Sequence, residues 1–239
     1  MGRALAECDG VIGVSRYVRD ELARSGRVAK RKLAAIPNLV HLPSVESALG
    51  GEWPLPDISS DEQFLLFAGK LDYNKGAQML PEAVARAEVK MPVVVAGEGP
   101  MQAGIEKEAR RLGLDFRFYG WLDNDATVLL MGKARALLFP SAWQEPLSRV
   151  LLEGCAAGAA IVALDTGGTR DIISHMESGW LAGDMDSFVA GMQKVSQDLP
   201  LNMKLREGAR ARAEERFSSE RVSARVEALY RKLLEAKRG

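Results

Sequence analysis

Hydrophobic positions along the chain follow two alternating patterns. Short runs, most of them continuously apolar, occur at residues 11–14, 33–36, 64–68, 92–96, 116–119, 136–139 and 161–164. Strands buried on both faces read this way, because neither side of the pleat needs polar side chains. Between them lie longer amphipathic stretches at residues 15–25, 77–88, 101–112, 124–134, 147–157 and 170–173, predicted as helices. Strand and helix in alternation imply βαβ units and a doubly wound parallel sheet with helices on both faces, a Rossmann-like α/β fold. Residues 41–62 break the rhythm with Pro43, Gly50, Gly51, Pro54 and Pro56 and predict a long surface connection. From Ser187 onward the pattern is helical throughout. The last helix, residues 219–236, places Val222, Val226, Leu229 and Leu233 on one stripe.

One βα unit cannot bury itself, so the first strand and helix either join the main sheet or belong to another domain. The division expected is a remnant βα unit over residues 1–32, a nucleotide-binding domain over 33–217 and a terminal helix over 218–239.

Composition narrows the function classes. The 239 residues are 47% hydrophobic and 27% charged, an ordinary globular balance. Lys and Arg together number 32, as do Asp and Glu, so no net charge recommends nucleic acid as a partner. Two cysteines, Cys8 and Cys155, make no disulfide framework and suit a reducing cytoplasm. No segment reads as a signal peptide or reaches the ~20 apolar residues of a membrane span. The expected location is cytoplasmic, including the periphery of an inner membrane face.

The chemistry concentrates in residues 140–168, PSAWQEPLSRVLLEGCAAGAAIVALDTGG, which read strand end, loop, helix, turn, strand. Glu145 precedes the helix and Glu153 lies on it. Eight residues span roughly 12 Å along a helix, a spacing suited to one elongated ligand touched at two points. Carboxylates accept strong hydrogen bonds from vicinal hydroxyls. The helix start, with Pro146, Leu147, Ser148, Arg149 and Val150, offers backbone N–H groups and a positive dipole end to a diphosphate. A lone glutamate is usually a solvated one; the apolar neighbours of Glu153 (Val150, Leu151, Leu152, Cys155) argue otherwise.

Two further loops follow predicted strands. GKLDYNKG, residues 69–76, carries Lys70 and Lys75 where doubly wound sheets bind ligands, placed to neutralise a diphosphate. GEGPMQ, residues 97–102, has Gln102 at the third glycine position of a dinucleotide fingerprint, which argues against NAD. Asp123–Asn124–Asp125 and Asp184–Met185–Asp186 match D-x-D, but both precede helices and are expected to be N-caps, since the spacing alone fixes no metal geometry. No zinc motif and no G-x-S-x-G element occurs.

Taken together, EPLSRVLLE with the following GCAAGAAIVALDTGG resembles the E-x7-E signature and small-residue turn of the retaining family-4 (group 1) glycosyltransferases. GKLDYNKG resembles that family's G-R-L…K-G element, with Lys70 in place of Arg; GEGP resembles its G-x-G-P turn; FRFYGWL, residues 116–122, its F-x-G-x-L strand end; VIGVSRYVRDEL and AAIPNLV its interdomain passage. The resemblance runs from about Asp9 to Tyr230. It implies a GT-B architecture of which this chain resembles the C-terminal, nucleotide-sugar-binding half, beginning inside the last βα unit of an N-terminal acceptor domain. By position it implies that Glu145 faces the donor sugar and Glu153 the ribose. It also implies that Lys70 and Lys75 hold the diphosphate beside Gly69, and that Gly97, Glu98, Gly99, Gly120, Trp121 and Leu122 pass or read the base. Ser148 stands where many members have Gly. The implied reaction is metal-free transfer from a nucleotide diphosphate sugar, with no cofactor, to a glycan, lipid or small-molecule hydroxyl, as in polysaccharide biosynthesis. An N-terminal domain or a second copy is the implied protein partner, over which the stripe of the last helix is expected to lie. The alternatives are a non-catalytic nucleotide-sugar-binding subunit and a sugar-nucleotide epimerase of the same fold.

Overall fold

A computed structural model describes residues 7–238. Its centre is a six-stranded, all-parallel sheet in the order β5-β4-β3-β6-β7-β8. The strands are β3 (Leu65–Ala68), β4 (Val93–Ala96), β5 (Phe116–Phe118), β6 (Ala136–Phe139), β7 (Ile161–Leu164) and β8 (Trp180–Ala182). The four central strands are buried at every position, which is why each reads as an unbroken apolar run. Successive side chains alternate between two cores. Leu66, Val94, Leu137 and Ile161 pack on one side of the sheet; Leu65, Val93, Leu138 and Val162 pack on the other. This is the expected doubly wound fold.

The helices are α1 (Arg16–Arg24), α2 (Leu42–Leu49), α3 (Leu80–Ala87), α4 (Gln102–Arg111), α5 (Asn124–Lys133), α6 (Arg149–Ala156), α7 (Thr169–Ile172), α8 (Met185–Gln197), α9 (Leu199–Arg216) and α10 (Ser219–Arg238). Asp123 and Asp184 cap α5 and α8, their Oδ1 atoms accepting from the Ala126 and Ser187 N–H groups at 2.7 and 2.8 Å. Both D-x-D runs are thus helix caps.

Three expectations need correcting. Residues 41–62 are only in part a surface connection. Pro43 stands in the first turn of α2, where a missing N–H costs nothing, and Val45, Ala48, Leu55 and Ile58 enter the core. The same segment is tied down by Trp53 Nε1 donating to the Ile58 carbonyl at 2.6 Å and by Tyr119 donating to Asp57. Strand β8 is not among the predicted strands, its apolar run being three residues long and only half-buried at Trp180 and Leu181. The third correction concerns residues 33–35. Strand β2 (Leu33–Ala35) pairs in parallel with β1 (Val11–Gly13) in a separate two-stranded sheet, so a boundary after Lys32 divides paired strands.

The chain passes between this small unit and the main domain twice, side by side. Val40 N donates to the Phe217 carbonyl at 2.8 Å, and Val40 bridges Ser218. Helix α10 then lies on the small unit: Arg225 donates to the Ala35 carbonyl at 2.6 Å, Lys237 pairs with Asp9 at 2.6 Å, and Leu233 abuts Gly10. Its predicted stripe is therefore covered in part within this chain: Val222 is buried, and Val226, Leu229 and Leu233 are half-buried.

Candidate functional site

The strand order reverses direction between β3 and β6. The chain leaves the centre toward β5, then returns to continue on the other side. A crevice opens at such a switch point, beyond the carboxyl ends of the strands. The loops after β3 and β6 are the ones carrying Lys70, Lys75 and Glu145, and they are stitched to each other. Ala142 N donates to the Asn74 carbonyl at 2.9 Å, and the Ser141 hydroxyl reaches the same oxygen at 3.2 Å. Gly76 makes this approach possible: its φ is +71°, and a Cβ there would lie 1.8 Å from the Pro140 oxygen.

Lys75 and Glu145, 70 residues apart in sequence, form an ion pair with Nζ–Oε1 at 2.5 Å. Glu145 is only 6% exposed. Its Oε1 also accepts from the Ser141 hydroxyl at 3.0 Å, and its carbonyl accepts from Gly168 N at 2.6 Å. A buried carboxylate without partners would carry a heavy desolvation cost, which the lysine and the serine offset. The lysine is itself positioned by Asp72, whose Oδ1 accepts from the Lys75 N–H at 3.1 Å.

Beside this pair lies a cleft of about 420 Å³. Its walls are Gly69 and Lys70 after β3, Gly97 and Glu98 after β4, Trp121 and Leu122 after β5, and Val150 and Glu153 on α6. Lys70 is largely exposed and 3.7 Å from Asp72. Glu98 bridges two walls, its Oε1 accepting from Trp121 N at 3.2 Å, while Gly97 N donates to the Gly120 carbonyl at 2.7 Å. Gly97 has φ +145°, and a Cβ on it would fall 1.9 Å from the Gly69 oxygen, so only glycine lets the two loops meet. Trp121 is not a core residue; it is 81% exposed at the cleft rim.

Helix α6 begins two residues later than predicted. Ser148 is its N-cap, and its Oγ accepts from Leu151 N at 3.4 Å. The serine hydroxyl therefore turns toward the helix, and the amides of Arg149 and Val150 head it without an intrahelical acceptor. Leu147 points its side chain into the core, so only its backbone is available to a ligand. Glu153 sits four residues along from Arg149 and accepts from its guanidinium at 3.0 Å. Pro146 contacts the Gly167–Gly168 turn through its carbonyl, and Gly99 packs against Leu71 behind the cleft.

The sites predicted from sequence thus separate into two groups. Lys75 and Glu145 meet in one place; Gly69, Lys70, Gly97, Glu98, Trp121, Leu122, Val150 and Glu153 meet in another, next to it. Several participants escaped sequence reasoning. Asn124, Thr127 and Met131 line the cleft from one face of α5, and their spacing of three and four is the only signal of it. Ser141, Gln144 and the Gly167–Gly168 turn brace Glu145, with the Gln144 Oε1 accepting from Gly167 N at 2.8 Å. Among the described residues no three His, Cys, Asp or Glu side chains gather as a metal would require, and no helix is long and apolar enough to cross a membrane.

Known proteins resemble this chain in sequence and in fold. An uncharacterized glycosyltransferase of Methanocaldococcus jannaschii is 27% identical over 238 residues, covering 94% of this chain and 60% of that protein. The O-antigen chain mannosyltransferase C of Escherichia coli is 30% identical over 181 residues, covering 74% of this chain and 48% of the relative. The glycogen synthase of Mycobacterium tuberculosis is 28% identical over 244 residues, covering 98% and 56%. The chain therefore spans about half to three-fifths of these relatives. Among solved structures, Anabaena HepE in complex with UDP superimposes with a TM-score of 0.83 at 19% identity, over 96% of this chain and 65% of that one. Sucrose-phosphate synthase of Thermosynechococcus elongatus does so with 0.79 at 22%, over 98% and 61%. The structural likeness concerns the fold. Residues 56–212, from within the connection after α2 to within α9, match the model of the glycosyl transferases group 1, and the chain belongs to that family.

Proposed function

We propose that the switch-point crevice seats a nucleotide diphosphate sugar and that the chain supplies the donor half of a retaining, GT-B glycosyl transfer. The observation that carries this reading is that the loops after β3 and β6, at the switch point, hold the Lys75–Glu145 pair, while Lys70, Val150 at the head of α6 and Glu153 line the cleft. The diphosphate lies over the Arg149 and Val150 amides, with Lys70 and Lys75 balancing its charge in place of a metal ion. Glu153 accepts from the ribose hydroxyls once Arg149 swings aside, and Glu145 accepts from the donor sugar. The base enters the 420 Å³ cleft between Gly97, Glu98 and the Trp121 rim. The complexes of Anabaena HepE with UDP and with UDP-glucose support a donor of this class.

In the transfer, the bond from the sugar's anomeric carbon to the β-phosphate breaks and the bond to an acceptor oxygen forms on the same face. The departing phosphate oxygen takes the acceptor proton. What this chain's residues contribute is stabilisation of the leaving charge and orientation of the sugar. Glycans, lipids and small hydroxyl compounds are the acceptor classes in view.

Calorimetry with UDP, GDP and ADP tests the donor site. One of the three is expected to bind wild type, and Glu153→Ala to weaken it about tenfold or more. Binding of none, or binding indifferent to Glu153→Ala, contradicts the reading.

A further inference from the structure

We infer that the chain carries a second binding site, for a phosphate or phosphomonoester group, in the cavity between the β1–β2 unit and the main domain. The cavity holds about 210 Å³ and stands apart from the donor crevice. Its lining brings Arg16 and Arg19 from α1, Arg216 from the end of α9 and Arg225 from α10 around a single carboxylate, Asp171. That carboxylate is already engaged: Arg16 meets it through both its backbone N–H and its side chain. Arg19 is answered by Asp20 at 2.7 Å. Arg216 and Arg225 take part in no ion pair among the described residues; Arg225 donates only to the Ala35 carbonyl. Two guanidiniums therefore face a half-open cavity without a counter-charge.

A fifth arginine adds to the crowding. Arg212 donates to the Asp171 and Ile172 carbonyls from behind the cavity. Its pKa is lowered by burial first, and next by Arg216, with Arg16 contributing; Glu177 and Cys155 offset this in part. Like charges brought together this way are relieved by an anion. Guanidinium forks match the oxygens of a phosphate better than they match chloride, because each presents two parallel N–H donors. A phosphate fits the volume, and the opening leaves room for the carbon end of a monoester. The proposal does not depend on the donor reading.

Its location gives it a consequence. The lining comes from both chain passages between the two units, with Pro37 on one and Phe217 on the other. A bound anion ties α1 to α9 and α10 and braces Asp171, whose N–H donates to the Gly168 carbonyl at 3.0 Å beneath the Glu145 loop.

The test is titration calorimetry with inorganic phosphate and, separately, glycerol 3-phosphate, each against sodium chloride at matched ionic strength. The proteins compared are wild type, Arg216→Gln/Arg225→Gln and Lys70→Ala/Lys75→Ala. Wild type and the lysine variant are expected to bind both ligands alike, in mutual competition, and the arginine variant to lose roughly tenfold or more. Arg216→Lys, which keeps the charge and loses the fork, is expected to fall between. Absence of phosphate binding beyond the chloride control, equal binding by the arginine variant, or loss confined to the lysine variant would overturn the second site. A lysine-only loss would assign the phosphate to the donor crevice. Unchanged melting of the arginine variant in chloride shows that it is folded.

Discussion

The six-stranded domain and the β1–β2 unit are built from the same βα grammar and reach different degrees of closure. In the large domain, β3, β4, β6 and β7 are buried at every position, with helices on both faces. In the small unit no residue of α1 is buried, β2 is half-buried throughout, and Ile12 is 40% exposed. Two strands and a helix cannot enclose a core, and α10 covers only one side of them. The lesson is that a parallel sheet becomes self-sufficient when its central strands have neighbours on both edges and helices on both faces. The donor crevice sits on the part that meets this condition; the arginine cavity sits at the seam with the part that does not.

Substitutions probe that contrast, beginning with the most damaging. Phe188→Ala, in α8 beneath the main sheet and fully buried, should cost about 3–5 kcal/mol by urea denaturation, the range for emptying a large core site. A loss under about 1 kcal/mol would show that the large domain is loosely packed. Lys75→Ala should cost about 1–3 kcal/mol, since Glu145 would keep only Ser141 as a partner, and should abolish measurable nucleotide-sugar binding. Retained affinity would detach the ion pair from the donor. Ile12→Ser, on the open face of the small unit, should stay within about 0.5 kcal/mol of wild type in the same assay. A large loss would mean that this face is covered in solution.

The smallest effect expected concerns Cys155, buried on α6, whose thiol burial pushes up to about 12. At pH 8.5, where an ordinary thiol is about half ionised, iodoacetamide should leave it unmodified in the folded chain. Above that pH the unfolded chain releases this proton and the folded chain keeps it, so stability should fall as pH rises toward 12. Rapid native alkylation of Cys155 would contradict the packing of α6.

This contrast also marks what could be read from sequence. Strands buried on both faces announce themselves, which is why β3, β4, β6 and β7 lie where the apolar runs are. The apolar run of half-buried β8 is only three residues long, and Pro43 disguised α2 because a proline that starts a helix looks the same as one that breaks it. Within the site, Glu145, Lys70 and Lys75 were legible as residue types in loops after strands, and Glu153 as one on the helix that follows. The pairing of Lys75 with Glu145 was not, because 70 residues separate them and only the switch point of the sheet brings them together. Ser148 was legible as a residue but not in orientation; whether its hydroxyl faced a ligand or the helix depended on where α6 begins. The brace of Ser141, Gln144, Gly167 and Gly168 around Glu145 arises from turns, whose contacts have no periodicity to read.

The central claim is that the closed domain alone forms the donor site. Hydrogen exchange, measured residue by residue with and without the nucleotide that calorimetry selects, tests it most directly. Protection is expected to rise in residues 69–76, 97–99, 120–122 and 144–153, with residues 11–35 unchanged. Protection confined to residues 11–35, or spread evenly over both units, would contradict it.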